Sequence, residues 1–162
     1  MNGVVHPNCC RLRWGLAAGL LLALTLAAPA VQTMELKLRS QLIWGTNDPK
    51  PKDGSCTDLD SALKARLSRV FKWQNYFQIK ALDIVVPAGD TKRVRMSDKC
   101  ELELKLVDDF TLEVKLFGEG KLVKTVRQSV QALRQGELSI LAGDSKDRFG
   151  DAWFVVLSLP KR

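Results

Sequence analysis

From residue 35 onward the chain is written in period two. In 35–44, Leu36, Leu38, Leu42 and Trp44 fall on one side of an extended backbone, with Glu35, Lys37, Arg39 and Gln41 on the other. Successive side chains of a strand point to opposite faces, so this alternation marks a strand with one face buried and one in water. Further strand segments follow at 79–86, 92–97, 100–107, 110–117, 121–130, 137–142 and 152–159, joined mostly by short turns. About eight strands so spaced predict a mainly β fold, an antiparallel β-sandwich or partly closed barrel. Trp153-Phe154-Val155-Val156-Leu157 does not alternate, which predicts a strand in the middle of the sheet, covered on both faces.

A single short amphipathic helix is expected after the loop 45–54. Thr57 serves as its cap, with Asp60 three residues later as a weakened capping box. Leu59, Leu63, Leu67 and Val70 recur at helical spacing, and about twelve residues would cover one face or end of the sheet.

Charge sets the register of one hairpin. In ELELKL (101–106) and TLEVKL (111–116) the leucines and Val114 must share a face, and two registers allow it. One places Glu103 opposite Glu113. The other pairs Lys105 with Glu113 and Glu103 with Lys115, and it is preferred because opposite charges attract across strands. A three-residue loop, Asp108-Asp109-Phe110, closes that hairpin.

Residues 1–30 carry the three parts of a secretory signal: Arg11 and Arg13, the uncharged run Trp14 to Leu26, and the small-x-small end Ala28-Pro29-Ala30. Cleavage after Ala30 leaves a single extracytoplasmic domain, 31–162, secreted or periplasmic. The alternative is an uncleaved anchor, since the uncharged run of about 18 residues is at the lower limit of a membrane span. In that case alone the protein contacts a membrane. Both readings place the domain on the same side, because the arginines hold the N-terminus in the cytoplasm. The two arginines leave with the leader and lower the net charge from +7 to +5.

Cys9 and Cys10 precede the apolar run, so Cys56 and Cys100 remain. In an oxidising compartment the simplest reading is one Cys56–Cys100 disulfide, closing a loop of about 45 residues and worth on the order of 4 kcal/mol. Two free thiols are the alternative. Neither cysteine lies in a C-x-x-C motif, which argues against a redox pair.

The only histidine, His6, lies in the leader. The mature chain therefore has no Ser-His-Asp triad, Cys-His dyad or His-ligated zinc site. It has no G-x-S-x-G or S-x-x-K motif, and no cofactor is implied. Paired carboxylates can hydrolyse glycosides without histidine, but the acids here alternate with lysines along strand faces, so a non-catalytic protein is expected. The aspartates of 143–151 resemble no EF-hand and stand beside Lys146 and Arg148, so a solvated loop is preferred to a Ca²⁺ site.

What remains for function is surface. Phe71, Trp73, Tyr76 and Phe77 follow the helix, Trp44 ends the first strand, and Phe149 precedes the last. Trp73 and Tyr76 are the best exposed candidates because Lys72, Gln74 and Asn75 interleave them. If the first and last strands are neighbours, Trp44 and Trp153 share one region. Basic residues gather at Lys64, Arg66, Arg69 and Lys72, and again at Lys92, Arg93 and Arg95, with Arg93 and Arg95 on one outward strand face. Aromatic and basic groups together suit an envelope polysaccharide or a partner protein. Nucleic acid does not fit an exported domain without a recognisable binding motif.

Two resemblances bear on these residues. The order strand, helix, antiparallel strands over 35–117 is similar to the cystatin-like arrangement, which implies one sheet wrapped around a helix and inhibition of proteases. That family's Gln-Val-x-Ala-Gly loop is absent, so no residue carries over. The stretches VKLFGEGKLVKT, LSILAGD and AWFVVLSL resemble small exported bacterial β-proteins, a likeness that implies localisation and fold and nothing about activity. The expectation is a non-catalytic extracytoplasmic β-domain binding an envelope component through Trp44, Trp73, Tyr76, Arg93 and Arg95. The alternatives are a cystatin-like inhibitor and a carboxylate-based hydrolase.

Overall fold

A computed structural model describes residues 34–142 and 150–160, all within the unit Gln32–Arg162. The expected leader and most of the aspartate-containing loop, 143–149 with Phe149, lie outside the described residues. Among those residues no helix is long and apolar enough to cross a membrane.

The described chain is mainly β, with two antiparallel sheets that do not close into a barrel. The first sheet contains β1 (Glu35–Thr46), β2 (Thr57–Asp58), β3 (Asn75–Pro87), β8 (Ser139–Ala142) and β9 (Ala152–Ser158), in the order β2-β3-β1-β9-β8. The second is the meander β4 (Thr91–Ser97), β5 (Cys100–Asp108), β6 (Thr111–Gly118) and β7 (Lys121–Ser129). Between the sheets lies one core. Leu36, Leu38, Leu42, Ile84, Val155 and Leu157 from the first sheet meet Met96, Leu102, Leu104, Leu112 and Val114 from the second. These are the alternate positions of each strand, so the period-two pattern becomes the inner surface of a sandwich.

β9 is covered on both faces, as its non-alternating sequence requires. Val155 and Leu157 enter the core between the sheets, while Phe154 and Val156 join a second cluster on the outer face. That cluster is roofed by α1 (Ser61–Leu67) and the segments on either side of it, through Leu59, Leu63, Leu67, Phe71 and Trp73.

The structure corrects several expectations. The cystatin-like arrangement is not adopted, because β4 to β7 form a second facing sheet instead of continuing the first around the helix. The helix has seven residues, with Asp60 as its cap accepting from the Leu63 amide; Thr57 belongs to β2, opposite Gln78. A second helix, α2 (Val130–Arg134), ends the strand expected at 121–130. Ser129 caps it by accepting from the Ala132 amide, and Val130 and Leu133 are its buried side. The two-residue β2 brings the described strands to nine.

The hairpin register is the expected one: Lys105 faces Glu113 and Glu103 faces Lys115. A bulge between Leu106 and Asp108 tightens the expected three-residue loop, so that Asp108 faces Thr111. The Asp108 carboxylate accepts from the Phe110 amide at 2.8 Å.

The Cys56–Cys100 bridge is not formed, and both residues are free cysteines. Cys56 is buried beside β2 at the edge of the first sheet, whereas Cys100 opens β5 in the second sheet, opposite Gly118. The topology assigns the two thiols to different layers.

Candidate functional site

The aromatic residues gather at one end of the first sheet and divide between its faces. On the outer face, Tyr76 is buried and its hydroxyl donates to the Phe71 carbonyl at 3.1 Å. Trp73 is half-buried against Phe71 and Phe154, at centroid distances of 5.3 and 5.9 Å. Its indole N–H donates to the Gly150 carbonyl. The two residues expected to be exposed are therefore packing under and beside α1. The polar residues between them interleave because the segment folds over the sheet, not because it is bathed on all sides.

On the inner face the arrangement is open. β1 and β9 are neighbours, and Trp44 stands directly opposite Trp153. The rings stack at 5.6 Å and 9°, with Phe77 on the other side of Trp44 at 5.8 Å. Asp151 accepts from the Trp44 indole at 3.1 Å and holds that ring in place. Trp153 continues the row Leu157, Val155 toward the end of the sandwich, where the second sheet no longer covers it, and it remains 48% exposed.

A cleft of about 580 Å³ opens there between the two sheets. The first sheet contributes Leu42, Leu141, Trp153 and Val155, and the second Cys100, Leu116, Phe117 and Val123. The space exists because the second sheet ends in small residues: Cys100 and Gly118 face each other in the positions where a leucine pair, Leu102 and Leu116, stands one step deeper. Burial, and after it the neighbouring Glu101 carboxylate, push the Cys100 thiol above its ordinary range. It is thus a small uncharged wall at neutral pH, since thiolate character is what makes cysteine reactive.

Polar groups occupy a single rim, made by two turns. The β4–β5 turn supplies Ser97, Asp98 and Lys99, and the β6–β7 turn supplies Glu119. The second turn is Glu119-Gly120 with φ of 50° and 78°, the left-handed pair that a two-residue hairpin demands. The Glu119 amide donates to the Lys99 carbonyl at 2.9 Å, and the Lys99 ammonium lies 3.3 Å from the Glu119 carboxylate. The backbone hydrogen bond joins one turn to the other, and the exposed ion pair above it adds little to that tie and leaves both charges open to solvent.

Arg93 and Arg95 lie elsewhere, on the outer face of the second sheet. Glu101 sits between them, at 3.3 Å from Arg93 and 3.8 Å from Arg95, and the Arg93 guanidinium covers the Phe117 ring at 4.6 Å. The same face continues with Glu103–Lys115 at 2.9 Å and Glu113–Arg127 at 3.0 Å. The expected cationic stripe is one margin of a charge lattice of both signs. Lys64, Arg66, Arg69 and Lys72 are exposed to solvent around α1.

None of the five expected binding residues lines this opening; Trp44 stands behind Trp153 as its support. Val123 and the Lys99–Glu119 rim, which do line it, are not among the expected binding residues. Their signal is the turn Phe117-Gly118-Glu119-Gly120, which ends a leucine-rich strand in small residues, together with a tryptophan at the head of β9. No group of three or more metal-ligating side chains occurs among the described residues. Compared with known proteins, the chain matches no family model, no curated protein and no solved structure.

Proposed function

We propose that the chain is a non-catalytic extracytoplasmic binding domain that takes an envelope component at the open end of its sandwich. One observation carries the reading: a tryptophan within a strand, Trp153, is half exposed at the mouth of a lined cleft, while a second indole stacks behind it. Large aromatic rings left partly in water at a concavity are characteristic of ligand sites. The size of the cleft falls in the range of about 300–1,000 Å³ found for such sites.

The rim chemistry supports binding over catalysis. Asp98 and Glu119 are exposed, and Glu119 is engaged by Lys99. Both stand on turns at the mouth, facing solvent, where they can meet a polar ligand group.

The test is calorimetric titration of the purified protein with envelope glycan and lipid fractions, beside Trp153→Ala. The substitution removes a ring that is half exposed and half stacked on Trp44, so circular dichroism and a melting curve check that the fold is retained, and binding is expected to weaken at least tenfold. Equal binding by both proteins would place the site elsewhere.

A further inference from the structure

The shape of the cleft narrows its ligand, granting that the cleft is the binding site. Its depth is apolar on every side: Leu42, Leu116, Leu141, Val155 and the Trp153 ring, with an uncharged Cys100. A sugar carried inward would lose the water on its hydroxyls and find no side-chain partner there, at a cost of several kcal/mol per group. An alkyl chain loses nothing by the same transfer. At the rim the polar groups carry both signs, Lys99 against Asp98 and Glu119, on two turns bonded to each other.

We infer that the cleft takes one single-chain amphiphile with a zwitterionic head, of the lysophospholipid kind. The alkyl chain lies between the sheets against Trp153. The ammonium of the head faces Asp98 and Glu119, and its phosphate faces Lys99.

The probe is a series of decyl-, dodecyl- and tetradecylphosphocholine, each below its micelle concentration, titrated into the purified protein by calorimetry. Binding is expected at one molecule per chain, tightening about 15-fold for each two methylenes added. Dodecylphosphocholine should bind more tightly than dodecanoate, dodecyltrimethylammonium or dodecyl maltoside, and Lys99→Ala should erase its advantage over the trimethylammonium compound. Val123→Trp, at an edge-strand position that is 36% exposed, fills the mouth and should abolish binding of the whole series. Should Val123→Trp disturb the fold, Trp153→Ala gives the same reading through a loss of at least tenfold.

Tight binding of an envelope oligosaccharide that depends on Trp153, without any dependence on alkyl length, would overturn this inference and leave the binding-domain reading standing. Adsorption to phosphatidylcholine vesicles without binding of the monomeric probes would overturn it as well. If no amphiphile, glycan or peptide binds in a manner sensitive to Trp153 or Val123, both readings fail.

Discussion

Gly45 has no room for a side chain. A Cβ there would stand 2.5 Å from Cε3 and 2.8 Å from Cδ2 of Trp73. The indole lies flat on the strand at this point, and that contact brings its N–H to the Gly150 carbonyl. Gly45→Ala must lift the ring away from Phe71 and Phe154, an overpacking cost of about 1–3 kcal/mol. A urea midpoint lowered without change of slope would record it, and an unchanged midpoint would show that Trp73 can leave its seat freely. This fit also explains why the exposed-aromatic expectation went astray. The sequence displays Lys72, Gln74 and Asn75 between the rings, but nothing in it shows that Gly45, far earlier in the chain, has opened a seat for Trp73. Trp44 and Trp153 were easier to place, because β-strand parity alone puts them on one face once β1 and β9 pair.

At the level of elements, the β5–β6 hairpin shows how far charge can determine pairing. Lys115 donates to Glu103 at 2.9 Å and holds that carboxyl below its ordinary range, while Glu103 in turn raises the Lys115 ammonium. The two shifts act at opposite ends of the pH scale. A depressed carboxylate stabilises the fold above its unfolded value, near pH 4, and the benefit is lost as pH falls through the folded value. A raised ammonium stabilises below its unfolded value, near pH 10, and the benefit is lost as pH climbs through the folded one. The pair is thus at full effect between about pH 5 and 9. Glu103→Gln should flatten the acid limb of a stability–pH curve and leave the neutral-to-acid difference smaller than in the wild type. An unaltered acid limb would show that the hydrogen bond is not maintained in solution.

The register was legible in the sequence because only charge distinguished the two options. The second helix was not, because Val126 and Val130 share strand parity and the segment runs without a glycine or proline into SVQALRQG. The competing signals there are the Ser129 cap and Gly136, which adopts a φ of 89°. Likewise Thr57 looked like a cap and became a strand residue, since Asp60 is the better acceptor at the turn into α1.

For the molecule as a whole, fold class was the most readable property and the binding site the least. Eight strand segments, most of them alternating, foretold sheets, but neither the division into two layers nor the hollow at their end has a local signature. The hollow depends on which small residues meet across β5 and β6 and on how far β9 extends beyond them. The separate placement of Cys56 and Cys100 is a property of the same layering. The proposed export of the domain is tested at this scale: if residues 1–30 act as a cleaved signal, mass spectrometry of the protein recovered from its host should find an N-terminus at Val31, with the domain outside the cytoplasm. A recovered chain that keeps residues 1–30 would support an anchored form instead.

The order of strands in the first sheet has a consequence in time. β9, last in the chain, lies between β1 and β8 and is paired along its length with β1, Arg39 opposite Ser158 and Gly45 opposite Ala152. A ribosome delivers β1 long before its partner, and the most distant contacts in the chain are the ones that join the sheet. Such high contact order makes for slow folding, on the scale of milliseconds to seconds. Until β9 arrives, Leu42 and Ile43 have no cover on that side, and the four-stranded meander has only part of a layer to pack against. Completion of the first sheet therefore waits on the last residues synthesised, and a chain cut short before β9 would leave β1 and β8 without the strand that joins them.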